Sequence, residues 1–237
     1  MQKYIAVVNP KMGEDEISSL ISQDIAGALF EISHQKYALA AQLIRQVKDL
    51  SRKYHHPVSL IQDASGATDP LALELGIKAG ADWVVVDTSE QVRLAKKFNK
   101  SVPLIWKGRA LPKNLPIDAI MHKDLIDADA RVGNSFIKHK VSPHVKQRIF
   151  DAISHLAHQA NAQAVAVSDI QTARAMSAQR PAHKIIFAPK NSDHAPQAAI
   201  YWGVHPVFHR RNFHSVLKKG DRYVDATNEK HVTINTV

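Results

Sequence analysis

The 237-residue chain has no cysteine. That excludes disulfides and thiolate chemistry, and it is compatible with a cytoplasmic protein. No apolar run approaches the length needed to span a bilayer. The opening MQKYIAVVNP lacks a basic region followed by a long apolar stretch, so no secretory signal is expected. Tandem repeats and low-complexity tracts are absent as well. So is any long block of like charge, although the net charge is +9. Up to residue 140 there are 19 basic and 16 acidic residues, and after it 12 and 6, so the excess is spread rather than focused. The densest knot is His209-Arg210-Arg211, near His205, Phe208, Phe213 and His214. Such a charge gives nonspecific affinity for polyanions. With no recognised nucleic-acid module, it reads as a solvated basic face, and nucleic acid is not an expected partner.

What is present is an alternation. Hydrophobic content of 45% and charged content of 22% are ordinary for a globular protein, and the length allows one large domain or two modest ones. Short β-branched runs recur at Tyr4–Val8, Ala28–Ile32, Pro57–Ile61, Trp83–Val86, Val102–Trp106 and Ala119–Met121. Each is apolar on nearly both faces, the pattern of buried parallel strands. Between them lie helical stripes: Ile17, Leu20 and Ile21; Ala40, Leu43, Ile44 and Val47; Leu71, Leu75 and Ile77; Val92, Leu94, Ala95 and Phe98. Strands alternating with helices imply right-handed crossovers and a parallel sheet. Six such units precede residue 130, against the eight of a closed (β/α) barrel.

The rhythm breaks from Ile126 to Pro143, which has no sustained apolar period and reads as a linker or rearranged connection. A second α/β unit follows. Its helix, from about Pro143 to Ala160, should present Val145, Ile149, Ile153, Leu156 and Ala157 on one face. Strands are expected at Ala164–Val167, Lys184–Ala188, Val204–Val207, Arg222–Val224 and Val232–Ile234, with helices near Thr172–Ala178 and Ala195–Tyr201. The expected domains are therefore residues 1–130 and 141–237.

Ser177, Arg180 and Pro181 stand before the apolar pair Ile185-Ile186, and Tyr201-Trp202-Gly203-Val204-His205-Pro206-Val207 follows one helix later. This order and spacing resemble the carboxy-terminal domain of the pyruvate kinases. Leu217-Lys218-Lys219-Gly220-Asp221 resembles that family's turn into its late strands, and Thr233–Val237 its final strand. The first unit resembles the family's barrel more sparsely, in Lys3–Pro10, Ser33-His34, Ile61–Gly66, Ile105-Trp106-Lys107 and Ile120–Leu125. The resemblance implies an α/β protein: an incomplete TIM-barrel-like parallel β/α domain without the family's lid domain, then a pyruvate-kinase carboxy-terminal-like α/β domain. It also implies site residues. Lys107 corresponds to the catalytic lysine, and Asp124, Asp63 and Ser33 correspond to metal positions. Ser168 and Thr172 lie in the loop where the family binds an allosteric phosphate. Mg²⁺ and K⁺ would be the cofactors of an active member.

Departures from the family pattern point away from activity. Phosphoryl transfer rests on positioning and on neutralising charge on the phosphoryl oxygens. Leu29 stands where the family has a phosphate-gripping arginine, and Arg109 where it has a metal-binding glutamate. A cation in a metal position repels Mg²⁺. The potassium site would read Glu31, Ser33, Asp63 and Ala64. Few residues separate Gly66 from the helix at Leu71, leaving no room for the lid, and two barrel strands have no counterpart. An open arc leaves edge strands exposed, so rearrangement, capping by the linker or dimerisation is expected. In the phosphate loop the glycine is gone and Asp169 adds negative charge, while Thr172 can cap its helix.

Some features have plain structural readings. His155 and His158 are one turn apart and His55 and His56 adjacent, with no third ligand at a telling spacing; they read as surface histidines. Lys107 and Asp124 could be a salt-bridged relic at the mouth of the sheet. Ser33, His34 and Asp63 lie on no nucleophile elbow. Trp202 and Gly203 read as a buried aromatic beside a tight backbone approach. Three functions remain open: a catalytically silent, self-associating scaffold; a residual enzyme acting on a small phosphorylated or keto-acid ligand through Lys107 and Asp124; and a polyanion binder.

Overall fold

The computed structural model describes residues 3–32, 37–67, 69–108, 110, 114–122, 125–127, 143–228 and 231–237. The chain divides into two compact units, one holding Lys3–Tyr54 and Val58–Ile137, the other Met1–Gln2, His55–Pro57 and Lys138–Val237.

In the first unit the strands β1 (Ile5–Val7), β2 (Gly27–Glu31), β3 (Ser59–Asp63), β4 (Trp83–Val86), β5 (Leu104–Trp106) and β6 (Ala119–His122) pair in chain order, all parallel. This is a half-barrel, the sequence of a (β/α) barrel stopped after six strands. The helices α1 (Glu14–Ser22), α2 (Tyr37–Lys53), α3 (Pro70–Ala79) and α4 (Ser89–Phe98) connect the first five strands. Side chains alternate across a strand. Ala28, Phe30 and Leu60 accordingly join Ile17, Ile21, Leu43, Ile44 and Val47 in one core, and Val84, Val86, Leu104 and Trp106 join Leu73, Val92 and Ala95 in another. Local chemistry sets the helix limits. Asp69 caps α3 ahead of Pro70, and Gly80 ends it at φ 98°. Thr88 and Gln91 form a reciprocal capping box on α4.

Two expectations change here. A seventh strand, β7 (Leu125–Asp127), turns back antiparallel onto β6, inside the stretch expected to begin a linker. Three residues are too few to show a period, so the strand had no readable signature. The buried face of α3 is Ala72, Leu73, Gly76 and Ile77, whereas Leu71 is exposed.

The second unit is a five-stranded sheet in the order β10-β9-β8-β11-β12. Its strands are β8 (Ala164–Val167), β9 (Lys184–Phe187), β10 (Val204–Pro206), β11 (Arg222–Asn228) and β12 (His231–Thr236); only β12 runs antiparallel. The helix α5 (Pro143–Gln159) lies against β8 and β11, and α6 (Ile170–Ser177) joins β8 to β9. On α5 the buried residues include Phe150, Ile153 and Ala157, while Ile149 faces solvent, contrary to the expected stripe. The expected helix at Ala195–Tyr201 is instead two short 3-10 turns, Ser192–His194 and Pro196–Ala198, the second opened by proline. Gly203 adopts φ 67° with open space around it, so a positive dihedral, not a close approach, calls for glycine there. Trp202 is half-buried, and its carbonyl accepts the fully buried Ser177 hydroxyl at 2.8 Å.

Candidate functional site

In a (β/α) architecture functional side chains gather at the carboxyl ends of the strands. Asp63 closes β3 and Lys107 follows β5, with β4 between them. The Lys107 amide donates to the Val86 carbonyl of β4 at 2.9 Å. Its Nζ lies 3.0 Å from Asp63 Oδ2, bridging the intervening strand. The lysine side chain is 38% exposed, that of the aspartate 8%. Asp63 Oδ1 accepts the Ser65 amide at 2.9 Å and the Ser65 hydroxyl at 2.5 Å. Both oxygens of this carboxylate are therefore engaged within the chain.

The loops beneath the pair are locked by a residue the sequence reading passed over. Gln91 is buried on α4. Its Nε2 donates to the carbonyls of Ala64 at 2.9 Å and Ala67 at 3.1 Å, and its Oε1 accepts the Asp87 amide at 2.9 Å. Asp87 Oδ2 in turn accepts the Gly66 amide at 3.1 Å, while Oδ1 is buried with no hydrogen-bond partner among the described residues. Thr88 and Gln91 have the spacing of a capping box, a signal that could have located the clasp. The helix α3 begins at Pro70, close behind this loop.

Of the other expected site residues, Ser33 and Asp124 lie outside the described residues, as does Arg109. Leu29 lies on β2 and is partly buried; Glu31 ends that strand and is exposed. Of the expected metal donors only Asp63 is described, and its carboxylate is paired to the Lys107 ammonium group. Among the described residues no group of three His, Cys, Asp or Glu side chains could hold a metal ion.

In the second unit Ser168 and Thr172 are also engaged. Ser168 Oγ donates to the Thr227 carbonyl at 2.7 Å, tying the end of β8 to β11. The cap of α6 is Asp169, not Thr172: its Oδ2 accepts the Thr172 amide at 2.8 Å and the Thr172 hydroxyl at 2.9 Å. An aspartate carboxylate thus occupies the helix N-terminus, where amide dipoles favour an anion. Nearby on β11, the buried Asp225 pairs with Arg210 and accepts the Thr227 amide and hydroxyl. His209, Arg210 and Arg211 are exposed, and His209 and Arg211 line a shallow, open depression.

Residues 147–234 match the family model of the pyruvate kinase alpha/beta domain. This match supports a pyruvate kinase relationship for the second unit. The matched region runs from α5 to β12 and includes the Ser177 and Trp202-Gly203 segments through which the sequence pointed to this family. No curated protein matches the chain. Among the described residues no helix is long and apolar enough to cross a membrane.

Proposed function

We propose that this pyruvate kinase-like chain is a self-associating scaffold that does not transfer phosphate from phosphoenolpyruvate to ADP. The observation that carries the reading is the Lys107–Asp63 ion pair. A cation that is to neutralise developing phosphoryl charge must present that charge to the substrate. Here it faces a carboxylate whose other oxygen is held by Ser65. The substitutions Leu29 and Arg109 at positions of family function support the same reading. The Asp169 cap on α6 adds to it, since a phosphate effector at that helix end would meet a carboxylate first. The absence of cysteine fits a cytoplasmic location.

A second reading has one observation in its favour. The Lys107 side chain is more than a third exposed, so a small phosphorylated or keto-acid ligand could displace Asp63 from it. In that case Mg²⁺ and K⁺ would be the ions to supply, with Asp124 as a further donor. A pyruvate-forming assay with phosphoenolpyruvate, ADP, Mg²⁺ and K⁺ decides between them. The scaffold reading expects no turnover above the Lys107→Ala background. Turnover that disappears in Lys107→Ala would overturn it.

A further inference from the structure

The half-barrel keeps one edge open. β1 is hydrogen-bonded to β2 on one side and, among the described residues, bare on the other, whereas β6 at the far end of the parallel run is covered by β7. Pairing with β2 extends past the strand itself. It runs from the Tyr4 carbonyl, which accepts the Ala26 amide, to the Val8 amide, which donates to the Leu29 carbonyl. From Tyr4 to Val8 there is no charge, proline or glycine, and the register with β2 is unbroken. Natural edges are normally blunted by such devices or covered. This one presents apolar surface instead: Val7 is 68% and Tyr4 59% exposed, the highest values among the large hydrophobic residues described.

The bonds to β2 fix which peptide groups are free. Along an extended strand the N–H and C=O of one residue point to the same side and alternate from residue to residue. Tyr4 and Val8 face β2, so Ala6 does too, and Ile5 and Val7 turn their peptide groups outward. Ala6 packs its side chain against the core beneath α1 and α2, while Ile5 and Val7 lie on the opposite face with their register partners Gly27 and Leu29. This run is its own complement. A two-fold axis through Ala6 sets Ile5 of one copy opposite Val7 of another in both directions, so the outward peptide groups of both copies are paired. It also sets Ala6 opposite Ala6 and Tyr4 opposite Val8, an aromatic against a β-branched side chain, which is a favourable cross-strand pair. Lys3 meets Asn9, so no like charges face each other. The contact is isologous and closes on itself, leaving no β1 edge free.

We propose that β1 is the docking edge for a second copy of this chain: two β1 strands pair antiparallel about Ala6 and join two half-barrel sheets into one. This rests on the self-associating part of the function proposed above and is independent of whether the chain turns over phosphoenolpyruvate. Amide hydrogen exchange of the full chain at micromolar concentration reads the edge directly. The Ile5 and Val7 amides should be protected in the unaltered protein. In Val7→Lys, which alters only an exposed side chain and puts a charge on the edge, the Ile5 amide should lose that protection. Cross-linking supplies a second readout. Because the chain has no cysteine, Ala6→Cys introduces a single thiol, and two such residues across a non-hydrogen-bonded antiparallel pair meet the spacing a disulfide needs. Mild oxidation should cross-link Ala6→Cys and leave a Ser101→Cys control uncoupled. Adding Val7→Pro to Ala6→Cys removes an outward N–H and leaves the Val8 bond to β2 in place, so the cross-link should be lost with an unchanged circular dichroism spectrum. If that variant loses its fold, Val7→Lys combined with Ala6→Cys takes its place. Unprotected Ile5 and Val7 amides in the unaltered protein would overturn the proposal, as would Ile5 protection that survives Val7→Lys or an Ala6→Cys variant that does not cross-link. Self-association detected by sedimentation while these two amides exchange freely would sink the β1 contact alone and leave the scaffold reading standing.

Discussion

Lys107 and Lys3 hold their charge in opposite circumstances, and each carries a distinct prediction. The Lys107–Asp63 pair is partly open to water on the lysine side, so screening leaves it worth under about 1 kcal/mol. Lys107→Ala should therefore lower stability by no more than that in chemical denaturation. Asp63→Ala should cost more, about 1–3 kcal/mol, because it also releases the Ser65 amide and hydroxyl. Equal losses for the two variants would show that the pair is not arranged as described. Lys3 is different: burial lowers its pKa to about 8 from 10.5, with Asp24 offsetting part of the shift. The fold thus penalises the protonated form. Below about pH 8 the penalty is fully present; between 8 and 10.5 the unfolded chain binds more protons, so stability rises with pH; above 10.5 the penalty is gone. Lys3→Met should raise stability at pH 7 by up to about 3 kcal/mol and flatten the pH dependence across that window. Denaturation midpoints measured at pH 7 and pH 10 for both proteins check it, and an unchanged slope in Lys3→Met would refute it.

At the scale of elements, single polar side chains decide how the strand ends are held. Gln91 fixes the loop after β3 from α4 through two donated bonds, while its Oε1 accepts the amides of Asp87 and Thr88. Gln91→Ala strands the carbonyls of Ala64 and Ala67, and a loss of about 1–3 kcal/mol is expected. Asp169→Ala removes the α6 cap and should cost about 1 kcal/mol. The same variant frees a helix N-terminus, so inorganic phosphate should raise its melting temperature and leave that of the unaltered protein in place; no difference between them would mean that Asp169 does not occlude the site. What was legible in the sequence follows from these scales. The six parallel strands were readable because they are short apolar-rich runs, of which Trp83–Val86 and Leu104–Trp106 are buried on both faces while Val7 on β1 is exposed. The strand β7 was not, because three residues show no period. The buried side of α3 was misplaced because Gly76, packed against Gln62, carries no hydropathic signal. The partner of Lys107 was missed for another reason. Asp63 lies 44 residues earlier, and only the pairing of β3, β4 and β5 brings the two together.

For the whole molecule, the question is whether the charge of +9 amounts to a binding site. The excess of bases is spread over both halves of the sequence, and of the densest knot Arg210 is already paired to Asp225. His209 and Arg211 remain at the edge of an open depression rather than in a cleft that would focus a field. A spread charge gives polyanion affinity of the nonspecific kind, which falls steeply with salt and depends weakly on any one residue. Arg211→Glu changes the net charge from +9 to +7. If the affinity is diffuse, that variant should elute from immobilised heparin at only slightly lower salt than the unaltered protein, and a charge reversal at exposed Lys97 should have a similar effect. A focused site would behave otherwise: Arg211→Glu alone would abolish retention while Lys97→Glu left it intact. That result would promote the basic knot from a solvated face to an interface and would make polyanion binding, rather than self-association, the property through which the protein acts.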